Sequence, residues 1–130
     1  MSALFDPGRE GFLDGSIDWD TDDIRVMLSK SAYSYSAAHK FVSDVVAASD
    51  NGRSAALGTK TVTNGIANAA GTSLVATSAV ACNALIVYKY NAADGSARLI
   101  CYSDITPFTP SAGQTVNITW DSGANKIFKL

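Results

Sequence analysis

Charged residues are scarce in this chain. They make up 17% of its 130 residues, where about 25% is usual for a soluble domain. Ten basic and twelve acidic side chains leave a net charge of −2. Nothing here draws the chain electrostatically to nucleic acid or to an anionic membrane. No apolar run approaches the roughly 20 residues that cross a bilayer. The longest candidate, Leu74–Tyr90, is broken by Thr77, Ser78, Asn83 and Lys89. The opening Met1-Ser2-Ala3-Leu4-Phe5-Asp6-Pro7 has neither the basic nor the apolar part of a signal peptide. The chain is therefore expected to be made and kept in a cytoplasm. Asn117-Ile118-Thr119 is then only an alternating strand and not a glycosylation site.

Cysteine and histidine are equally sparse. Cys82 and Cys101 are the two thiols and His39 is the single imidazole. No CxxC spacing exists for zinc, and no GxxxxGK[ST] or GxGxxG loop exists for phosphate. Neither cysteine sits in a nucleophile motif with His39. The acidic run Asp18, Asp20, Asp22, Asp23 begins like a calcium loop. It then places Asp23 where glycine is needed and Ser29 where glutamate is needed, so it reads as a solvated turn. No catalytic residue, cofactor site or metal site is expected.

What is present is β-strand material, organised around Asn83–Ser103. Ala84–Tyr90 and Ala97–Tyr102 are runs of β-branched and aromatic residues. Asn91–Ser96 joins them, with Asp94-Gly95 tolerating positive φ. In the first run Leu85 and Val87 point one way and Ile86 and Tyr88 the other. Apolar groups on both faces place this strand centrally in a sheet. Pairing about the turn sets Cys101 opposite roughly Ile86 and away from Cys82, so no disulfide is expected.

In chain order, residues 1–20 read as an irregular arm, with one helical turn at Arg9–Leu13 stopped by Asp14-Gly15. Its Phe5, Phe12, Leu13, Ile17 and Trp19 are too apolar for a solvated tail, so it must dock on something. Ile24–Leu28 is a strand, and Ser29–Ala37 is a polar loop holding Tyr33 and Tyr35. Ala38–Ala48 has weak helical spacing through Phe41, Val45 and Val46. Asp50-Asn51-Gly52 is a turn, and Ser54–Thr63 an edge-like strand around Gly58. Asn64-Gly65 is a tight hairpin turn leading back into Ile66–Ala69. Asp104–Gly113, with Pro107 and Pro110, is a long crossing loop. Thr115–Trp120 alternates as a strand, Asp121–Asn125 turns, and Lys126–Leu130 closes as a strand.

Short strands with regular turn signals argue a mainly β chain. The expectation is one antiparallel β-sandwich or barrel, jelly-roll-like, over residues 21–130. Residues 1–20 form the N-terminal arm, and there is at most one short helix.

The segment Val116-Asn117-Ile118-Thr119-Trp120-Asp121-Ser122-Gly123-Ala124-Asn125-Lys126-Ile127-Phe128-Lys129-Leu130 resembles the close of a family of small tailed-bacteriophage virion proteins, "TVTWDNGxNKIFKL"-like. Gly8-Arg9-Glu10-Gly11-Phe12-Leu13-Asp14-Gly15-Ser16-Ile17-Asp18-Trp19 resembles that family's "GREKFLxGxIxW" opening. Ile24–Leu28, Lys60–Gly65 and Ala84–Lys89 fall in matching order. Ser31–Asp50 carries no part of the resemblance, and Cys101–Asp104 is more polar than the family's version. The resemblance implies a virion structural protein assembled in the bacterial host cytoplasm. The reading taken from it is a capsid decoration or cement protein that bridges major capsid proteins on the outer head and associates with itself as a dimer or trimer. Neither nucleic acid nor membrane is a partner. Phe5, Arg9, Phe12, Leu13, Trp19, Tyr33 and Tyr35 would make the contacts. The alternatives are a tail, baseplate or fibre-associated structural protein, and a carbohydrate-binding adhesion module that uses Trp19 or Trp120.

Overall fold

A computed structural model describes residues 2–45, 47–124 and 126–130. Val46 and Asn125, assigned above to the weak helix and the closing turn, and Met1 of the arm lie outside the described residues. The chain is mainly β and antiparallel. Its strands are β1 (Ser2–Leu4), β2 (Ile24–Lys30), β3 (Asp50–Arg53), β4 (Thr61–Thr63), β5 (Ile66–Asn68), β6 (Thr72–Val75), β7 (Cys82–Lys89), β8 (Leu99–Phe108), β9 (Thr115–Ile118) and β10 (Phe128–Lys129). A five-stranded sheet in the order β1-β8-β7-β2-β3 forms one layer. The three-stranded β10-β5-β4 and the two-stranded β6-β9 lie against it. The arrangement is a sandwich and not a closed barrel, and its second layer is split in two, unlike the paired sheets of a jelly roll.

The organising hairpin forms, and β7 is the middle strand of the large sheet. Leu85 and Val87 enter a core shared with Ile24, Val26 and Leu28 of β2. Ala84, Ile86 and Tyr88 enter a second core on the opposite face with Met27. One register detail differs from expectation. Tyr88 pairs with Leu99, but Val87 pairs with Cys101 and Ile86 with Tyr102. Ile100 is thus an extra residue, a β-bulge. It turns Ile100 and Cys101 to the same core and sends Tyr102 to the other. Both thiols are free and buried, and Cys82 pairs with Phe108, far from Cys101.

The bulge matters because the chain start docks on it. Over residues 2–14 the expected arm is not irregular. β1 is an edge strand of the main sheet, with Leu4 opposite Cys101. A helix, α1 (Asp6–Asp14), follows and ends at Gly15, whose φ of 80° supplies the left-handed cap. Pro7 near its start fits the helix without a lost donor. Two glycines make α1 a poor helix by propensity, yet they are why it packs. A Cβ on Gly8 would sit 2.8 Å from Leu99 O and 2.9 Å from Ile100 O. Phe5 N donates to Ile100 O at 3.0 Å, and Arg98 donates to Pro7 O across the same joint. The one α-helix among the described residues is therefore here. In the described residues from Ala38 onward, short 3-10 turns at Val42–Asp44 and Ala47–Ser49 stand where a helix was expected.

Three further expectations are corrected. Asp50-Asn51-Gly52 is part of β3 and not a turn. Asn51 is buried, and its amide binds the Ser78 backbone at both ends: Nδ2 donates to Ser78 O at 3.1 Å and Oδ1 accepts from Ser78 N at 3.0 Å. At Gly52 φ is 126° and a Cβ would meet Val75 O at 2.3 Å, so only glycine fits. The crossing loop begins later than expected, because β8 runs on through Pro107 to Phe108. Pro107 falls where β1 has ended and the β7 register has already slipped, so its missing N–H interrupts no regular ladder. Ser54–Lys60 is irregular and leaves only Thr61–Thr63 as the edge strand β4. Asn64 and Gly65, at φ 54° and 76°, make the expected tight turn.

Candidate functional site

The anticipated contact residues do not form one surface. Phe5 is fully buried and packs on Tyr35 at 5.2 Å between ring centroids. Tyr33 is buried too, with its hydroxyl 2.8 Å from His39 Nδ1. Tyr35 is half-buried and donates to Leu4 O at 3.0 Å. Trp19 is 4% exposed and sits in the opposite core, Nε1 donating to Asn68 O at 3.1 Å. Phe5 and Tyr33 therefore offer a partner no surface, and Trp19 only a sliver of ring, because the chain folds back and uses them itself. Arg9 is exposed and paired with Asp6 at 3.2 Å. Phe12 and Leu13 remain at a surface, and they mark one end of the sandwich.

That end carries an apolar groove of about 410 Å³. α1, the loop after it, the β4–β5 hairpin and β10 enclose it. Its floor is an aromatic stack: Phe128 lies 5.6 Å from Phe12 and 5.3 Å, edge to face, from Trp19. Local sequence builds this geometry. Gly15 ends the helix, and Ile17 N donates back to Gly11 O at 2.9 Å. That bond folds Ile17 over a position where any Cβ would clash with it. Val62 at 57% and Leu130 at 58% exposed form the wall, and Leu13, beside Phe12 on α1, stands 88% exposed.

The polar rim of the groove is acidic. Asp18 and Asp20 line it. Their carboxyls share a hydrogen bond, which holds Asp18 below the usual carboxylate range and pushes Asp20 above it. Their neighbours are spoken for: Asp22 pairs with Lys89 at 2.9 Å and Asp23 with Arg25 at 2.9 Å. Among the described residues no three His, Cys, Asp or Glu groups are placed to hold a metal ion. The groups weighed for catalysis are engaged elsewhere. His39 is bonded to Tyr33, Asn51 Nδ2 donates to Cys82 Sγ at 3.2 Å, and burial pushes the Cys101 thiol up to about 12.

A second cleft, of about 660 Å³, opens beside β8 between Arg9, Asp104, Trp120, Asp121 and Lys129. Sequence reasoning flagged Trp120 and missed Val62, Phe128 and Leu130. A lone valine between Thr61 and Thr63 in an edge hairpin was the available signal for Val62. Comparison with protein-family models, curated proteins and solved structures gives no match.

Proposed function

We propose that the chain is a structural protein of a phage virion that docks through the groove at the α1–β10 end. The best-fitting place is the outer surface of the head, as a decoration protein. The supporting observation is the exposed pair Val62 and Leu130, which wall a groove with an aromatic floor. Single exposed apolar residues need no explanation, but a contiguous set over a groove marks an interaction site. The resemblance in the opening and closing segments supplies the virion context. The groove draws on both of those segments, through Phe12 and Trp19 at one end and Phe128 and Leu130 at the other. Many weakly bound copies on a symmetric shell gain strength through multivalency.

Quantitative mass spectrometry of purified virions tests this. A ratio near one copy per major capsid protein, or a simple fraction of it, is the expected result. A few copies per particle would move the protein to the tail or baseplate, and its absence would end the virion reading. Val62→Asp, at a side chain already in water, is expected to abolish head binding while shifting stability by less than about 0.5 kcal/mol. Deleting residues 2–19 is not a usable test, because it removes β1 and two buried aromatics.

A further inference from the structure

We infer that the cleft beside Trp120 binds an oligosaccharide. The inference rests on the composition of the cleft, which shares only the buried Phe128 with the docking groove. Trp120 is half-buried in the wall, and its Nε1 is already committed to Ala70 O at 3.1 Å. What the indole has left to offer is ring surface. Around it stand charged groups of both signs: Arg9, Lys126 and Lys129 against Asp104 and Asp121. Asp121 spends one oxygen, accepting from Gly123 N at 2.9 Å, and Lys126 Nζ donates to Ser122 O at 3.3 Å. Each of these side chains retains hydrogen-bonding capacity.

This composition selects among ligand classes. An apolar ligand would strip water from five charged groups and offer their remaining donors and acceptors nothing, at a desolvation cost. A strongly anionic or cationic ligand would meet two or three like charges. A neutral ligand with many hydroxyls on one side and C–H groups on the other satisfies both parts of the wall. A sugar ring has that character: its C–H face lies on an indole, and its hydroxyls bond carboxylate, guanidinium and ammonium. The cleft volume of about 660 Å³ falls within the range of small-ligand sites. Trp19, the other tryptophan, is buried and cannot serve as a platform.

The full-length chain, labelled with 15N, tests this. It is titrated with chitotriose, maltotriose and cellotriose, with trigalacturonate, and with a neutral octapeptide, after a glycan-array screen for neutral glycans. Binding of at least one neutral glycan is expected. Its shifts should centre on the Trp120 indole N–H and on Asp121 and Lys129, and should leave Val62 unmoved. Trp120→Ala should weaken that binding by about tenfold or more, with Trp120→Phe retaining part of it. Because Trp120→Ala can disturb packing, Asp121→Ala and Lys129→Ala, at exposed side chains, are measured alongside and should each weaken binding while the thermal melt stays put. The proposal is overturned if no neutral glycan binds, or if binding survives in all three alanine variants. It is equally overturned if only trigalacturonate or only the peptide binds.

Discussion

The two faces of the five-stranded sheet are covered in different ways. One face meets strands: Ile24, Val26, Leu28, Val87 and Ile100 pack against Leu74, Ile118 and Phe128 of the smaller sheets. The other meets the loop of residues 31–45. There the core is Phe5, Met27, Ile86, Tyr88 and Leu99, closed by Tyr33, Tyr35, Tyr102, Val42 and Val45. A strand layer satisfies its own backbone, so the side chains between layers need only be apolar. A loop does not, and its polar groups must find partners or stay wet. On this side the covering residues have an apolar body and a polar tip. Tyr33 reaches His39, and Tyr35 reaches Leu4 O. Asp44 accepts from Lys40 N at 2.8 Å and Phe41 N at 2.9 Å. Arg53 donates to Asp94 from both terminal guanidinium nitrogens at 2.8 Å. The loop backbone also ties directly to β8, through Leu99 N to Lys40 O at 2.9 Å.

If the loop is a true core cover, truncating beneath it costs as much as truncating beneath the strands. Phe5→Ala is expected to lose about 3–5 kcal/mol, and Leu28→Ala about 2–5 kcal/mol, by urea unfolding at neutral pH. A Phe5→Ala cost below about 1 kcal/mol would make the loop a loose flap, since it would fall far outside the range for a filled core. Gly8→Ala tests the joint between helix and bulge. Its methyl would press on two backbone oxygens, so a loss of about 1–3 kcal/mol is expected, with no comparable loss for Gly95→Ala, where a Cβ meets nothing within 4 Å.

Acid should separate the two faces. Asp44 is held low by its bonds from the Phe41 and Lys40 amides, and Asp94 is held low by Arg53. Carboxyls with depressed folded values stabilise fully above their unfolded value and lose that contribution as pH falls through the folded one. The loop face should therefore open first below about pH 4. Amide exchange at Phe41 and Leu99 should accelerate there while Val26 and Val87 stay protected. Asp44→Asn should flatten that pH dependence; parallel acceleration on both faces would refute it. The smallest effect is expected from Arg53→Lys. It removes the paired geometry at a partly exposed site and should cost at most about 1 kcal/mol, read as a small shift in the thermal midpoint.

Much of this was legible in the chain. Alternation in Ile24–Leu28 and the two-faced run Ala84–Tyr90 identified β2 and β7, because strand side chains point to opposite faces and both faces here are apolar. Asn64-Gly65 located the β4–β5 hairpin, since few dipeptides tolerate two positive φ values in succession. Among the expected contact residues, Leu13 is left exposed by the fold and Phe12 half-buried at the surface. Phe5, Trp19 and Tyr33 are buried instead, because hydrophobicity says that a side chain will be covered and not by what. Val62 and Leu130 escaped notice because each is an isolated apolar residue in sequence, and only the fold brings them to one groove.

The sequence by itself determined the strands whose pattern is local: the alternation of β2 and β7, the tight turn at Asn64-Gly65, and the end of α1 at Gly15. Only the tertiary structure decided the bulge at Ile100, the pairing of Asn51 with Ser78, and the use of residues 2–14 as a strand and a helix. The physical reason is the range of the interactions. A period or a turn depends on residues a few positions apart. The Ile100 bulge depends on Gly8 and Phe5 lying against it from more than ninety residues away, a contact that no local pattern encodes.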